Sequence, residues 1–411
     1  MSTAPPPPKH VLRNHGAPVS ALWVSDDNER VYSGDGAGTV VATSTRTLRA
    51  LAVWAAHTDG VLGVQEWGPR VITHGRDNKL HVWTGPHAAE PGAARPACAG
   101  AGAVDVDAGS AALPGLHVPA LLYSLDVNAL NYCRFSLLVP APPIAGSAPG
   151  PAEEEALLAV PNLVESAYAD VWTLPGKQRL HAAIGKGGQD LAADGRDVRN
   201  PTGLIMSMHL SAAPHPSAAG RARLRLLAGY ENGSVTAREY ARDGRPQSVE
   251  GVGWNVLWTV KSHVESVMGM AVSWDGTFAL SVSADHLIGK YNLLEAERPE
   301  TLQSACQAHR TKTPGNAAVA IRDDGRVCAV GGWDGRVRLY STKTFKPLGT
   351  LAYHKKNCQM VAFAHVAPGG SDPSEDEDMS EAEEAERARW LVSGGQDSRV
   401  AIWSLMDFSK T

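Results

Sequence analysis

A closed ring of seven four-stranded antiparallel sheets, an all-β propeller, is the fold this sequence predicts. Two observations carry the prediction. A strand–turn–strand unit recurs with an Asp six residues before a Trp or Tyr, and a His stands ahead of each copy. The stretches that do not fit this unit are rich in Ala, Pro, Gly or acid, which is what connecting loops look like.

The clear copies are GRDNKLHVW (Gly75 to Trp83), ADHLIGKY (Ala284 to Tyr291), GWDGRVRLY (Gly332 to Tyr340) and GQDSRVAIW (Gly395 to Trp403). Each follows an apolar strand: RVIT, FALSVS, VCAVG and WLVSG. A short strand, a tight polar turn and a second strand ending in an aromatic form the second and third strands of a propeller blade. Upstream stand His57, His263, His309 and His354, each followed by a further apolar strand: VLGVQEW, SVMGMAVSW, NAAVAI and CQMVAFA. This is the order of a WD40-type repeat.

Weaker copies fill the gaps. His15 precedes VSALWVS and RVYSGDGAGTVVAT, with Ala37 at the turn-Asp position and Thr43 at the Trp position. ALLYSLDV, ALLAVP and YADVWTLP (Ala120 to Pro175) make a third unit, and Gly203 to Tyr240 a fourth, with Asn232 at its turn. The total is seven blades, needing about 300 residues. The excess falls in loops at about 85–118, 140–156, 176–200 and 366–389. One propeller over 9–408 is expected, behind a disordered tail at 1–8. The short strand His10 to Asn14 is expected to add the outer strand to the last blade and close the ring, removing sheet edges that invite aggregation.

Composition bounds the function. Nine acidic residues lie between Ser371 and Glu386; with them set aside from the net charge of −5, the rest of the chain sums to +4. That is too little for a clustered basic stripe, so no direct nucleic-acid binding is expected. The five cysteines, Cys98, Cys133, Cys306, Cys328 and Cys358, include no CxxC pair; neither a zinc site nor a disulfide framework is suggested, and a reducing compartment fits. MSTAPPPPKH has no apolar core of a secretory signal. No apolar run approaches the ~18 residues of a membrane span.

Three side-chain sets invite a catalytic reading: His57, Thr73, Asp77 with Trp83; His263, Ser281, Asp285 with Tyr291; and His354, Ser393, Asp397 with Trp403. A lone Ser-His-Asp set would suggest a hydrolase. These recur once per blade, whereas a catalytic centre needs one copy beside a pocket. They read as structural tetrads, hydrogen-bonded between turn, loop and third strand, so no catalytic, cofactor-binding or metal-binding residue is expected. Val330 takes the hydroxyl position in the sixth blade.

With these units placed, the chain resembles the ASTRA-associated protein 1 family of fungal WD-repeat proteins. It is also similar to the animal guanine-nucleotide-binding-protein β-subunit-like protein 1. The resemblance rests on PPKHVLRNHGAPVSALWV, HTDGVLGVQEWGPRVITHGRDNKLHVW, LLAVPNLVESAYADVWTLP, GGWDGRVRLYSTKTFKPLGTLAYHKKNCQMVAFA and LVSGGQDSRVAIWSL. It covers nearly all the chain outside the low-complexity loops. It implies a scaffold subunit of the nuclear ASTRA complex, linked to chromatin regulation. The partners it implies are the cofactors that mature phosphatidylinositol-3-kinase-related kinases, and RuvB-like ATPases. The nucleus, with the cytoplasm also open, is the expected location.

Propellers bind partners through loops at the rim of the channel, and fold alone names no ligand. The residue before each turn position is Gly36, Arg76, Glu231, Ala284, Trp333 or Gln396. Trp333, Arg76, Glu231 and Gln396 are the candidate partner face, since Trp and Arg are enriched in interface hot spots; Trp333 packing on its own blade is the alternative. Trp333-Asp-Gly-Arg336 also matches the W-D-x-R of propellers that serve cullin-type ubiquitin ligases as substrate receptors, the competing function. There the motif follows the Trp ending the third strand; here it falls on a turn. In the acidic stretch, Ser374 and Ser380 precede acidic runs that suit acidophilic kinases, and a solvated loop that only aids solubility is the alternative.

Overall fold

Alternation of apolar and polar residues dictates strands, and Asp, Asn and Gly punctuate them. The computed structural model describes residues 5–86, 116–130, 132–140, 155–186, 202–214, 222–242, 245–366 and 381–408. These build an all-β seven-bladed propeller whose blades are seven four-stranded antiparallel sheets.

After β1 (His10–Leu12), the first sheet comprises β2 (Val19–Val24), β3 (Arg30–Asp35), β4 (Thr39–Ser44) and β5 (Ala50–Ala55). The second holds β6 (Val61–Trp67), β7 (Arg70–Gly75), β8 (Lys79–Thr84) and β9 (Leu121–Asp126). The third holds β10 (Ser136–Leu138), β11 (Ala156–Pro161), β12 (Ala169–Leu174) and β13 (Arg179–Ile184). The fourth holds β14 (Ile205–Pro214), β15 (Ala222–Tyr230), β16 (Ser234–Tyr240) and β17 (Trp254–Lys261). The fifth holds β18 (Val267–Val272), β19 (Phe278–Ser283), β20 (Leu287–Asn292) and β21 (Cys306–Arg310), with helix α1 (Leu302–Ala305) ahead of β21. The sixth holds β22 (Asn316–Ile321), β23 (Val327–Gly332), β24 (Arg336–Ser341) and β25 (Pro347–Ala352). The last combines β26 (Cys358–Phe363), β27 (Trp390–Gly395) and β28 (Val400–Ser404) with β1, helix α2 (Glu381–Arg387) standing between β26 and β27.

The last sheet is completed by β1, which pairs antiparallel with β28: His10 opposite Ile402, Val11 opposite Ala401 and Leu12 opposite Val400. Leu12 is buried in a cluster with Val19, Leu22, Met360, Trp390, Val400 and Ile402, so the latch strand also fills the core. The ring of His10 meets Trp390 edge-on at 5.9 Å, and Lys9 pairs with Glu386 of α2.

Two compact units can be distinguished. The first is 1–124 with 333–341 and 347–411; the second is 125–332 with 342–346. Within the first, apolar clusters join the last sheet to the first and the first to the second. Within the second, they join the third sheet to the fourth and the fourth to the fifth. The same device recurs in both: a strand glycine lies under the Val that starts the next sheet. A methyl on Gly34 would meet Val61 at 2.6 Å, and one on Gly229 would meet Val267 at 2.7 Å. Any larger residue there would force neighbouring sheets apart.

Several boundaries differ from the sequence reading. ALLYSLDV, read as the start of the third unit, is β9, the outer strand of the second sheet; the third sheet begins at Ser136. The reason is register: Thr84 donates its N–H to the Ala120 carbonyl, and His81 Nδ1 lies 2.7 Å from Ser124 Oγ, fixing β9 against β8. The stretch 176–200, read as loop, contains β13. Its outer side is covered by a parallel bridge between His181 and Ser248, with the Ala182 N–H donating to the Ser248 carbonyl and the Ser248 N–H to the Leu180 carbonyl. The acidic stretch, read as loop, contains α2, whose Glu and Ala content favours helix. It is tied down by Arg387, itself buried, which pairs with Glu29 at 3.1 Å. Ser374 and Ser380 lie outside the described residues.

Candidate functional site

Each tetrad is assembled from the loop entering a blade, the blade's second strand and the turn that follows. In the second blade His57 Nδ1 lies 3.0 Å from Asp77 Oδ1, and Nε2 lies 2.8 Å from Thr73 Oγ1. Thr73 Oγ1 also accepts from Trp83 Nε1 at 2.9 Å. In the last blade the corresponding distances are 3.0 Å for His354 to Asp397, 2.9 Å for His354 to Ser393 and 3.0 Å for Trp403 to Ser393. In the fifth, His263 lies 3.1 Å from Asp285 and 2.7 Å from Ser281, and Ser281 lies 2.9 Å from the Tyr291 hydroxyl. Thr73, Ser281 and Ser393 are each 0% exposed. A hydroxyl sealed in this way and already bonded on both sides cannot meet a substrate.

A fourth set went unread in the sequence. His15 Nδ1 lies 2.9 Å from Asp35, and its Nε2 lies 2.7 Å from Ser33. Asp35 accepts the backbone N–H groups of Ala37 and Thr39, so the first blade has its carboxylate after all, two residues before the turn position held by Ala37. The legible signal was spacing from the loop His: His15, His57, His263 and His354 each stand four residues before Val19, Val61, Val267 and Cys358, which start their blades. By that rule His309 is misassigned. It lies inside β21 and stacks on Phe345, ring centroids 3.7 Å apart, and Lys312 occupies the loop position. The sixth blade accordingly carries Val330 opposite Val319, where the second has Thr73 opposite Val64. Its Asp334 turns to Arg338 instead, at 3.1 Å. At the fourth turn, Asn232 accepts the Ser234 N–H at 2.9 Å.

Burial governs the protonation of His57, His263, His181 and His74. Burial pulls the pKa of His57 and of His263 below the usual value, against the opposing pull of Asp77 and Asp285. Burial also lowers His181 to about 4 and His74 to about 3. Asp77 is raised by burial but more than compensated by the Thr58 N–H and by His57, and sits below the usual carboxylate range. The sign is the same for all of them. The folded state holds these imidazoles neutral, so the unfolded chain binds more protons below pH ~6.5. Stability from these groups is full above that pH and lost as the pH falls; for His181 and His74 the loss runs down towards about 4 and about 3, by up to about 1.4 kcal/mol per pH unit each. Urea midpoints at about pH 7.5 and about pH 5 test this; equal midpoints would contradict it.

His57, Asp77 and His81 also have the spacing of a metal-ligand group, their candidate atoms lying within 4.8 Å of one another. The rings of His57 and His81 are stacked, 4.7 Å apart and 19° from parallel, so their in-plane lone pairs run side by side. His57 Nδ1 is engaged by Asp77 and His81 Nδ1 by Ser124. The geometry is that of a hydrogen-bonded tetrad.

Comparison with known proteins fits this architecture to a family. The chain is 34% identical to ASTRA-associated protein 1 of Verticillium alfalfae over 97% of its own length and 93% of the relative's. The chain belongs to the ASTRA-associated protein 1 family. The Pyricularia oryzae member is 29% identical, covering 98% of this chain and 99% of the relative. Mouse guanine nucleotide-binding protein subunit beta-like protein 1 is 25% identical, over 98% and 97%. A model of the WD domain, G-beta repeat, matches residues 303–341. That span runs from β21 through β24, so the repeat seen in sequence is offset by one strand from the blade seen in structure.

In this ASTRA-associated protein 1 family member the residues preceding the turns hold equivalent places. The N–H groups of Gly36, Arg76, Glu231 and Gln396 donate to the carbonyls of Pro18, Gly60, Leu204 and Asn357, each just ahead of its blade's first strand. Within the first unit, Trp333 and Gln396 flank a single loop, His354 to Asn357. Gly335 of the Trp333 turn comes so close that an added methyl would lie 2.3 Å from the His354 carbonyl oxygen. Its φ of +75° also favours glycine. Arg76 lies beside Gly60, which in turn adjoins Gly36. Glu231 belongs to the second unit, where the Leu204 N–H reaches its carboxylate at 3.3 Å. Trp333 is 45% exposed, which leaves it available to a partner.

Proposed function

We propose that this chain is a non-enzymatic scaffold subunit of an ASTRA-type complex, acting in the nucleus in chromatin regulation and in maturation of phosphatidylinositol-3-kinase-related kinases. Its partners on this reading are other protein subunits, the kinase-maturation cofactors and RuvB-like ATPases. The observation that carries the reading is likeness over the whole length of both chains to ASTRA-associated protein 1. The absence of a catalytic step is supported by the sealed hydroxyls of the described tetrads, and a propeller with exposed loop residues suits assembly.

Affinity purification of the tagged full chain from its native cells, followed by mass spectrometry, tests the proposal. Kinase-maturation cofactors and RuvB-like ATPases should co-purify above an untagged control. Recovery of cullin adaptors in their place would overturn it.

A further inference from the structure

We infer that the loop cluster around Trp333 is a docking surface for an acidic peptide segment of a partner protein. The inference rests on the scaffold reading and gives one partner contact a chemistry.

The cluster consists of two turns and the loop between them, all in the first unit. One turn joins β23 to β24 and carries Trp333 and Arg336; the other joins β27 to β28 and carries Gln396 and Arg399. Between them runs the loop bearing Lys355 and Lys356. The close approach of Gly335 to the carbonyls of His354 and Lys356, and the bond from the Gln396 N–H to the Asn357 carbonyl, hold the three pieces side by side.

The charge of the cluster follows from which carboxylates are spent. Asp334 is engaged by Arg338 and by the Arg336 N–H. Asp397 is engaged by His354 and by the Lys355 N–H. Both acids therefore serve the fold. Arg336, Lys355 and Lys356 are exposed, and Arg399 contacts only a backbone carbonyl through its guanidinium among the described residues. The surface thus combines a half-exposed Trp with cations on its own turn and on the adjoining loop.

Comparison with the other blades makes this local. The two residues after the loop His are Gly16-Ala17, Thr58-Asp59 and Val264-Glu265 elsewhere, and Lys355-Lys356 only here. The position of Trp333 is held by small or polar residues in the other turns. A flat aromatic beside unspent cations binds a carboxylate-rich segment that also offers an apolar side chain: charges steer the encounter and the Trp supplies the buried area. Nucleic acid would need a longer basic track than this cluster provides.

The test uses the purified full chain and a fluorescein-labelled peptide of alternating Asp and Glu with one central Leu, followed by anisotropy. Saturable binding that weakens with added salt is expected. Lys355→Glu with Lys356→Glu should weaken it at least about tenfold, and Trp333→Ala should weaken it several-fold. Lys343→Glu, on the exposed turn between β24 and β25 at the far end of β24 from Trp333, should leave it unchanged. Lys355→Gln with Lys356→Gln serves if charge reversal disturbs folding, which a thermal melt shows. The inference is overturned if the wild-type chain does not bind the peptide, or if the lysine variants bind it as the wild type does. It is overturned too if an oligonucleotide of matched length displaces the peptide more readily than unlabelled peptide. Because no cellular partner enters this titration, its failure is separable from failure of the co-purification experiment.

Discussion

Removal of residues 1–12 is expected to cost at least about 3 kcal/mol of stability and to turn a monodisperse protein into one that associates as its concentration rises. The deleted strand does three things. Leu12 is buried among the residues of the last and first sheets, a contribution of about 1.5–3 kcal/mol for a fully buried aliphatic side chain. The pairing with Val400, Ala401 and Ile402 satisfies the outer backbone groups of β28. Lys9 and His10 hold α2 and Trp390 in place. Without β1, the strand VAIWS becomes an apolar sheet edge with unpaired donors and acceptors, a template for intermolecular pairing. Urea unfolding followed by fluorescence, and size-exclusion chromatography at two concentrations, read the two effects. A truncated chain that unfolds at the wild-type midpoint and elutes as one species would show that β1 latches nothing.

Thr73→Val is the second large effect. Valine is nearly isosteric with threonine and keeps the strand, so the loss isolates the hydroxyl. Thr73 Oγ1 serves His57 Nε2 and Trp83 Nε1 at once, and both would be left buried without it. At about 1–3 kcal/mol for each stranded group, a destabilisation of about 2–4 kcal/mol is expected. Hydrogen bonding is the whole of the difference, because the sixth blade tolerates Val330 at the same register position, 1% exposed, where no loop His requires a partner. The urea midpoint measures it, with unchanged slope as the sign that the folded surface is intact. A shift below about 0.5 kcal/mol would mean that the tetrad contributes geometry and little energy.

The parts of the fold that were legible in the sequence are those with chemistry at fixed spacing. Asp77, Asp285 and Asp397 announce turns because a carboxylate must cap the N–H groups there, and Trp83 and Trp403 announce third strands because an indole must reach the hydroxyl. Where a blade satisfies the same demand from another position the pattern blurs. Asp35 caps its turn from inside β3, and a spacing rule tied to the turn passes over it. Strands whose identity depends on pairing alone were misplaced for the same reason. LLYSLD reads equally well as the end of one blade or the start of the next, and only its bonds to β8 decide. His309 looked like a loop His from its neighbourhood, yet its ring stacks on Phe345, a contact between residues far apart in the chain. The cluster around Trp333 lies between these cases. Its residues were visible singly, whereas the adjacency of Lys355, Lys356 and Gln396 comes from close backbone packing that no local pattern encodes.

The pairing of His10 with Ile402 also has a consequence for synthesis. Strand β1 leaves the ribosome 402 − 10 = 392 residues ahead of the strand it pairs with, and cannot find its place until that strand follows. At roughly 5–20 residues per second, an apolar segment of the nascent chain waits on the order of 20–80 s for that neighbour. During that wait β1 is a ligand without a receptor. Until β28 has emerged, the nascent protein is open to capture of β1 by another copy of itself.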